Sequence, residues 1–303
     1  MRIVVFGQQA FGKDVFDSLQ EAGENVVGVS TPKIADGKSD PLDDAAKDAG
    51  IPNIFTRELR NEEKFNEYLS WQPDLLVFAF VTDIVRQNVL DAATHGAIQY
   101  HPSLLPFHRG RAAMNWAILQ GREETGLTIF WVDEGIDTGP VILQKSTPIE
   151  ADDTVGSIYF NRLYPMGVEA LTEAVGLVRT GDASSIVQDE TIATYEGPCE
   201  PEHGVINFGA HGQLVHNTIR GCDPQPGASA SLNGSTLKLF GSSYLPGGGV
   251  KDVPGTVLSA TDQGVELSVI GGSITLQRVQ QPGSKKVPAS EICLLYTSPS
   301  PRD

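Results

Sequence analysis

Residues Arg2–Phe6 (RIVVF) form an unbroken apolar run that stops at Gly7, and Val26–Val29 (VVGV) form a second. Between them Phe11, Val15, Leu19 and Ala22 recur at helical spacing, and Gly23 ends the pattern. A strand without polar alternation must be covered on both faces. Strand, helix and strand within about thirty residues is the opening of a parallel βαβ sheet. The alternation continues, with helices predicted at Leu42–Ala49, Asn61–Trp71, Arg86–Ala93 and Ala112–Leu119. Further strands are predicted at Leu75–Phe80, Ala97–His101 and Leu127–Val132. Val155–Arg179 is the longest helical pattern, with a kink expected at Pro165. The expected class is α/β, a mostly parallel sheet covered on both sides.

Residues 182–202 lose this periodicity and contain Gly197, Pro198 and Pro201, the marks of a linker. Beyond them His211–Arg220 reads as one short amphipathic helix. Short runs follow at Ala228–Leu232, Thr236–Phe240, Thr256–Ser259, Val265–Ile270 and Ile274–Val279. Asn233-Gly234, Gly247–Gly249 and Gly271-Gly272 separate them as turns, so a small closed β-barrel is expected. The expected organisation is a sheet domain over 1–181, a linker over 182–202 and a barrel domain over 203–292. Residues 293–303 (CLLYTSPSPRD) have no period and read as a non-native tail, with the natural chain expected to continue past Ile292.

Charge narrows the function. The chain has 38 acidic and 22 basic side chains, a net charge of −16. Residues 1–202 hold 32 acidic and 15 basic side chains, and 203–293 hold five and six. An acidic surface repels phosphate backbones and anionic lipid, which disfavours nucleic-acid and membrane partners. Cys199, Cys222 and Cys293 form no C-x-x-C, so neither a disulfide framework nor a zinc knuckle is expected. No apolar stretch approaches 18 residues, and the chain is expected in a reducing cytoplasm. No metal is expected: His211 and His216 lie five apart on a helix, on different faces. Gly7…Gly12-Lys13-Asp14 is no phosphate loop, because Asp14 stands where a hydroxyl is needed.

The chemistry concentrates in Gln99–Gly139. Gln99-Tyr100-His101-Pro102-Ser103-Leu104-Leu105-Pro106 places an imidazole at the end of a strand, with two prolines to stiffen the loop after it. Ligands of open α/β sheets bind beyond the carboxyl ends of strands. Asp133-Glu134-Gly135-Ile136-Asp137-Thr138-Gly139 follows the next predicted strand. A carboxylate delivered there to the same sheet edge as His101 would complete an acid–base pair.

The series H-P-S-L-L-P, then Arg109-Gly110, then D-E-G-I-D-T-G resembles the folate-dependent formyltransferase family, and the likeness runs from residue 1 to about 292. Asp36-Gly37-Lys38, Asp40-Pro41-Leu42, Met114-Asn115-Trp116, Phe130-Trp131, Asp152-Asp153-Thr154, Ala193-Thr194-Tyr195-Glu196-Gly197 and Ile219-Arg220-Gly221 resemble its hydrolase branch. The resemblance implies a Rossmann-like domain followed by an OB-like barrel. It implies His101, Asp137 and Gln99 as the catalytic set, with Gln99 where most members carry Asn. Phe107 and Arg111 depart from the usual residues at the entrance. The resemblance also implies that folate lies against Phe80, Val81, Thr82, Ile84, Ser103, Leu104, Trp131, Asp133, Glu134 and Gly135. The implied reaction, in one-carbon metabolism, is 10-formyltetrahydrofolate and water giving tetrahydrofolate and formate. NADP would enter only through downstream carrier and aldehyde dehydrogenase domains. The alternatives are formyl transfer to an amine, as in the methionyl-tRNA, sugar-amine and glycinamide-ribotide branches, and a non-catalytic folate-binding module.

Overall fold

The computed structural model describes residues 1–34, 38–232, 234–247 and 252–291. Asp36 and Gly37, the turn residues Asn233, Gly248 and Gly249, Ile292, Cys293 and the rest of the tail lie outside these. The chain divides into two compact units. The first comprises Met1–Gly110, Gly126–Ser146 and Asn161–Tyr195; the second comprises Arg111–Thr125, Thr147–Phe160 and Glu196 onward.

The first unit is built on strands β1 (Arg2–Gly7), β2 (Asn25–Ser30), β3 (Leu75–Ala79), β4 (Ala97–His101), β5 (Glu124–Trp131) and β6 (Val141–Pro148), in spatial order β2-β1-β3-β4-β5-β6. β2, β1, β3 and β4 are parallel. Successive residues of these strands supply two cores. Ile3, Val5, Leu75, Val77, Ile98 and Tyr100 pack on one side with Phe11, Val15 and Leu19 of helix α1 (Gln9–Glu21) and Ala170, Leu171 and Ala174 of a long helix (Tyr164–Thr180). Val4, Phe6, Leu76, Phe78 and Ala97 pack on the other side with Tyr68 and Val89. Having no solvent face, the strands carry no polar alternation. Helices α2 (Pro41–Asp48), α3 (Glu62–Ser70) and α4 (Gln87–Leu90) fill the early crossovers. Asp40 and Asn61 cap α2 and α3 by accepting backbone N–H bonds.

Three features differ from the sequence expectation. β5 runs antiparallel to β4, with Ile98 opposite Trp131 and His101 opposite Thr128. The loop after β5 therefore leaves beside the amino end of β4, not at the edge that carries His101. β6 was not foreseen, because its second half, Gln144–Pro148, alternates too weakly to mark a strand. The long helical pattern is broken not at Pro165 but before it: α6 (Val155–Ile158) gives way to a π-turn over Tyr159–Leu163 before α7 (Tyr164–Thr180). Pro165 falls in the first turn of α7, where its missing N–H costs nothing.

Among its described residues, the second unit holds α5 (Ala113–Leu119), α6, α8 (Gly212–Gly221) and six strands. These are β7 (Ala228–Leu232), β8 (Ser235–Pro246), β9 (Val257–Thr261), β10 (Gly264–Val269), β11 (Gly272–Gln280) and β12 (Val287–Pro288). They pair antiparallel in the order β7-β8-β11-β10-β9, with β12 on β11, as the OB-like unit. Leu232 pairs with Ser235 across the first hairpin. Val215 and Ile219 of α8 pack into the core with Leu239, Val269 and Ile274. The opposite side of α8 buries polar groups with their partners: His216 donates from Nε2 to the Ala151 carbonyl (2.9 Å) and Arg220 bonds Asn217 (2.9 Å). Burial holds the His216 imidazole below its ordinary pKa. Among the described residues, no helix is long and apolar enough to cross a membrane.

One side chain of β5 fastens the loop that follows β4. The fully buried Thr128 hydroxyl donates to the Ser103 carbonyl (2.7 Å) and accepts from the Leu105 N–H (3.0 Å) and the Gln144 amide (2.9 Å). Thr128→Val keeps the shape but takes the hydroxyl partner from the Ser103 carbonyl and the Leu105 N–H, while the Gln144 amide keeps its bond to the Leu105 carbonyl (2.8 Å). It is expected to cost about 1–3 kcal/mol per unsatisfied group, read as a lower urea midpoint at unchanged slope.

Candidate active site

Gln99 and His101 lie two apart on β4 and share the face of Ala97. The loop after His101 folds back on itself. Ser103 is fully buried and donates through Oγ to the Phe107 carbonyl (2.7 Å). That return brings the His108 carbonyl to His101 Nε2, which donates to it at 2.8 Å. The tautomer is thereby set: Nε2 carries a proton, and Nδ1 is the nitrogen left to exchange one.

Nδ1 faces Asp137. Its distance to Asp137 Oδ2 is 3.5 Å, with side-chain exposures of 5% for His101 and 7% for Asp137. Oδ2 also accepts the Gly110 N–H (2.8 Å), and Oδ1 accepts from the Gln99 amide (3.3 Å). Gln99, His101 and Asp137 thus converge, although the route differs from expectation. Because β5 is antiparallel, Asp137 does not arrive at a shared strand end; its loop crosses the face of β4 that presents Gln99 and His101.

The crossing needs a compact loop. The Asp133 carboxylate accepts the Gly135 N–H (3.0 Å) and the Thr138 hydroxyl (2.7 Å). A Cβ on Gly139 would stand 1.7 Å from the Trp131 carbonyl oxygen, so that position requires glycine, and one on Gly135 would stand 1.9 Å from Thr138 Oγ1 and displace that hydroxyl. Asp137 itself has φ 58°, His108 57° and Phe80 63°. Left-handed backbone at non-glycine residues costs about 1–3 kcal/mol each and gathers where function fixes geometry.

Sequence reasoning missed a buried support in the aperiodic stretch. Residues 182–195 belong to the first unit, bridged at Ile186 to Val141 and at Tyr195 to Arg109. Gln188 is buried, and its amide donates to the carbonyls of Asp137 (2.9 Å) and Gly139 (2.7 Å). Its oxygen accepts from Arg109 (2.9 Å). Arg109 also holds the exposed Glu190 with two nitrogens, at 2.9 and 2.6 Å. The bond from Arg109 keeps the Glu190 carboxyl below its usual range. A single buried glutamine in such a stretch has no period to betray it; only the Ala193–Gly197 motif marked the neighbourhood.

The remaining expected folate contacts are spread over the loop after β3, the loop after β4 and the end of β5 with the loop that follows it. Phe80, Val81 and Thr82 line a small cavity with Gly7, Gln8 and Ser30 at the carboxyl ends of β1, β2 and β3. Ile84 is 86% exposed, and Glu134 and Gly135 are exposed. Leu104 is half-buried, and Trp131 donates through Nε1 to the Ser184 carbonyl (3.0 Å). Ser103 faces inward and shapes its own loop. Among the described residues, no three His, Cys, Asp or Glu side chains form a metal-ligand set.

Gln188→Ala would strip the Asp137 and Gly139 carbonyls and Arg109 of a buried partner. A loss of about 2–4 kcal/mol in unfolding free energy is expected, measured by urea titration, with turnover falling further than stability accounts for.

Residues 1–175 match the formyl transferase family and residues 198–296 match the formyl transferase C-terminal domain. The human mitochondrial 10-formyltetrahydrofolate dehydrogenase is 37% identical over 303 residues, 96% of this chain and 33% of that protein. The chain therefore spans about a third of the length of the dehydrogenases it matches. The methionyl-tRNA formyltransferase of Trichlorobacter lovleyi is 35% identical, over 95% of this chain and 92% of its own length. Among solved structures, HypX from Aquifex aeolicus in complex with tetrahydrofolic acid aligns with a TM-score of 0.70 at 22% identity, covering 96% of this chain and 46% of HypX. These matches extend over both units, and the chain belongs to the formyl transferase family.

Proposed function

We propose that the chain removes the formyl group of 10-formyltetrahydrofolate, with water as acceptor and formate as product. The observation that carries this reading is the buried His101–Asp137 pair, 3.5 Å apart, with Gln99 bonded to the same carboxylate. Attack on the formyl carbon creates an oxyanion and makes N10 a poor leaving group until it is protonated. Asp137 orients the attacking water and takes its proton, then returns a proton to N10. Such transfers are worth ~10²–10⁴-fold. His101, when its ring carries both protons, donates from Nδ1 to the oxyanion, a bond worth about 3–4 kcal/mol. Gln99 and the Gly110 N–H position the carboxylate. The exposed apolar side chains Phe80, Ile84 and Ile136 on the loops after β3 and β5 suit the flat pterin ring.

Water is favoured over tRNA as acceptor by charge: 32 acidic against 15 basic side chains in residues 1–202 is a poor surface for a polyanion. The likeness to methionyl-tRNA formyltransferase over nearly its full length supports the second reading, transfer to an amine. Formate release and formylation of initiator methionyl-tRNA at low salt, assayed side by side, separate the two.

Asp137→Asn suits the left-handed backbone and still accepts the Gly110 N–H. It should keep tetrahydrofolate binding and lose formate release by ~10²-fold or more. Near-normal turnover in that variant would remove Asp137 from the mechanism.

A further inference from the structure

Two cysteines that stand 23 positions apart meet in the second unit. Cys199 is half-buried and Cys222, just past α8, is buried; both are free thiols. Cys222 belongs to the buried core cluster of this unit, and Cys199 packs against that cluster. Two adjacent residues of α5 hold the segments that bear them. The Trp116 indole N–H donates to the Gly197 carbonyl (2.8 Å), two residues before Cys199. The Asn115 amide donates to the carbonyls of Gly221 (2.8 Å) and Gln225 (3.0 Å), on either side of Cys222. The Gly204 backbone packs on Cys222, where a Cβ would stand 3.3 Å from its Sγ.

The two thiols are not equivalent. Cys199 lines an open cavity of about 320 Å³ with Arg111, Asn115, Glu200 and Gln225, whereas Cys222 has no exposure. The neighbouring Cys222 thiol draws the Cys199 thiol below its ordinary pKa, against burial and the Glu200 charge. The neighbouring Cys199, together with burial, pushes the Cys222 thiol up. An accessible thiol beside a buried partner is the division of labour that thiol–disulfide exchange needs.

We propose that Cys199 and Cys222 form a reversible dithiol–disulfide pair, with Cys199 as the attacking thiol and a small-molecule disulfide such as glutathione disulfide as the oxidant. The Cys199 thiolate attacks one sulfur of glutathione disulfide; that S–S bond breaks, and the first glutathione leaves with the proton Cys199 gave up. Cys222 then loses its proton and attacks Cys199 in the mixed disulfide, and the second glutathione leaves. The two cysteines are oxidised by two electrons, and one glutathione disulfide becomes two glutathiones. The guanidinium of Arg111, at the same cavity, suits the carboxylates of glutathione. Residues 199 and 222 become covalently joined, tying the segment that follows Tyr195 to the end of α8.

The test uses the whole chain with Cys293→Ser, so that only these two thiols count. The folded protein is incubated with glutathione disulfide, quenched in acid, alkylated and mapped by peptide mass. The expected product is a Cys199–Cys222 linked peptide pair, cleaved by dithiothreitol. Cys222→Ser should stop at a Cys199–glutathione adduct, and Cys199→Ser should leave Cys222 unmodified until the chain unfolds. With no further substitution, Cys199 in the reduced protein should be alkylated at least ~10-fold faster than Cys222. A stable glutathione adduct on Cys199 with Cys222 intact, or equal alkylation rates of the two thiols, would overturn the proposal.

Discussion

A carboxylate taken out of water must be met by donors, and the site of the first unit is arranged around meeting that demand at Asp137. The Gly110 N–H and the Gln99 amide supply them, and the His101 ring stands over the same oxygen that Gly110 holds. The donors come from different stretches: Gln99 from β4, Gly110 from the end of the long loop after it. Each has its own anchor, Thr128 for the start of that loop and Thr194 for its end, where its hydroxyl accepts the His108 N–H at 2.8 Å. The left-handed backbone at Asp137 is held against its own preference by these outside bonds.

Much of this was legible before any coordinates. The strands β1 to β3 announce themselves because a strand buried on both faces reads as a run of apolar residues, and α1 because its apolar residues recur with the helical period. The pairing of His101 with Asp137 was legible from motif order. What periodicity cannot carry is direction: LTIFWV reads as the same buried strand whether it runs parallel or antiparallel. The approach of Asp137 across the sheet face was therefore misjudged, even though its destination was right. Gln188 was invisible for a related reason. Its importance lies in hydrogen bonds to three distant residues, and a single side chain has no spacing to measure.

The second unit shows how little helix is needed to organise loops. α5 has only seven residues, yet neighbouring positions on a helix point about 100° apart. Asn115 and Trp116 can thus each hold a different irregular segment, and these are the two that carry the cysteines. Spacing alone made Cys199 and Cys222 look unrelated, because neither belongs to a local motif.

The strap formed by residues 186–195 has a consequence for how the molecule fails. Its inner end is one glutamine under the loop that carries Asp137, while Asp189, Glu190 and Thr191 lie at the surface. A protease cut or a bulky adduct there would pull out the glutamine and leave the sheet and both hydrophobic cores untouched. Spectroscopy would report an intact protein, and only turnover would reveal the damage. Ageing preparations should therefore lose specific activity well before they lose ellipticity.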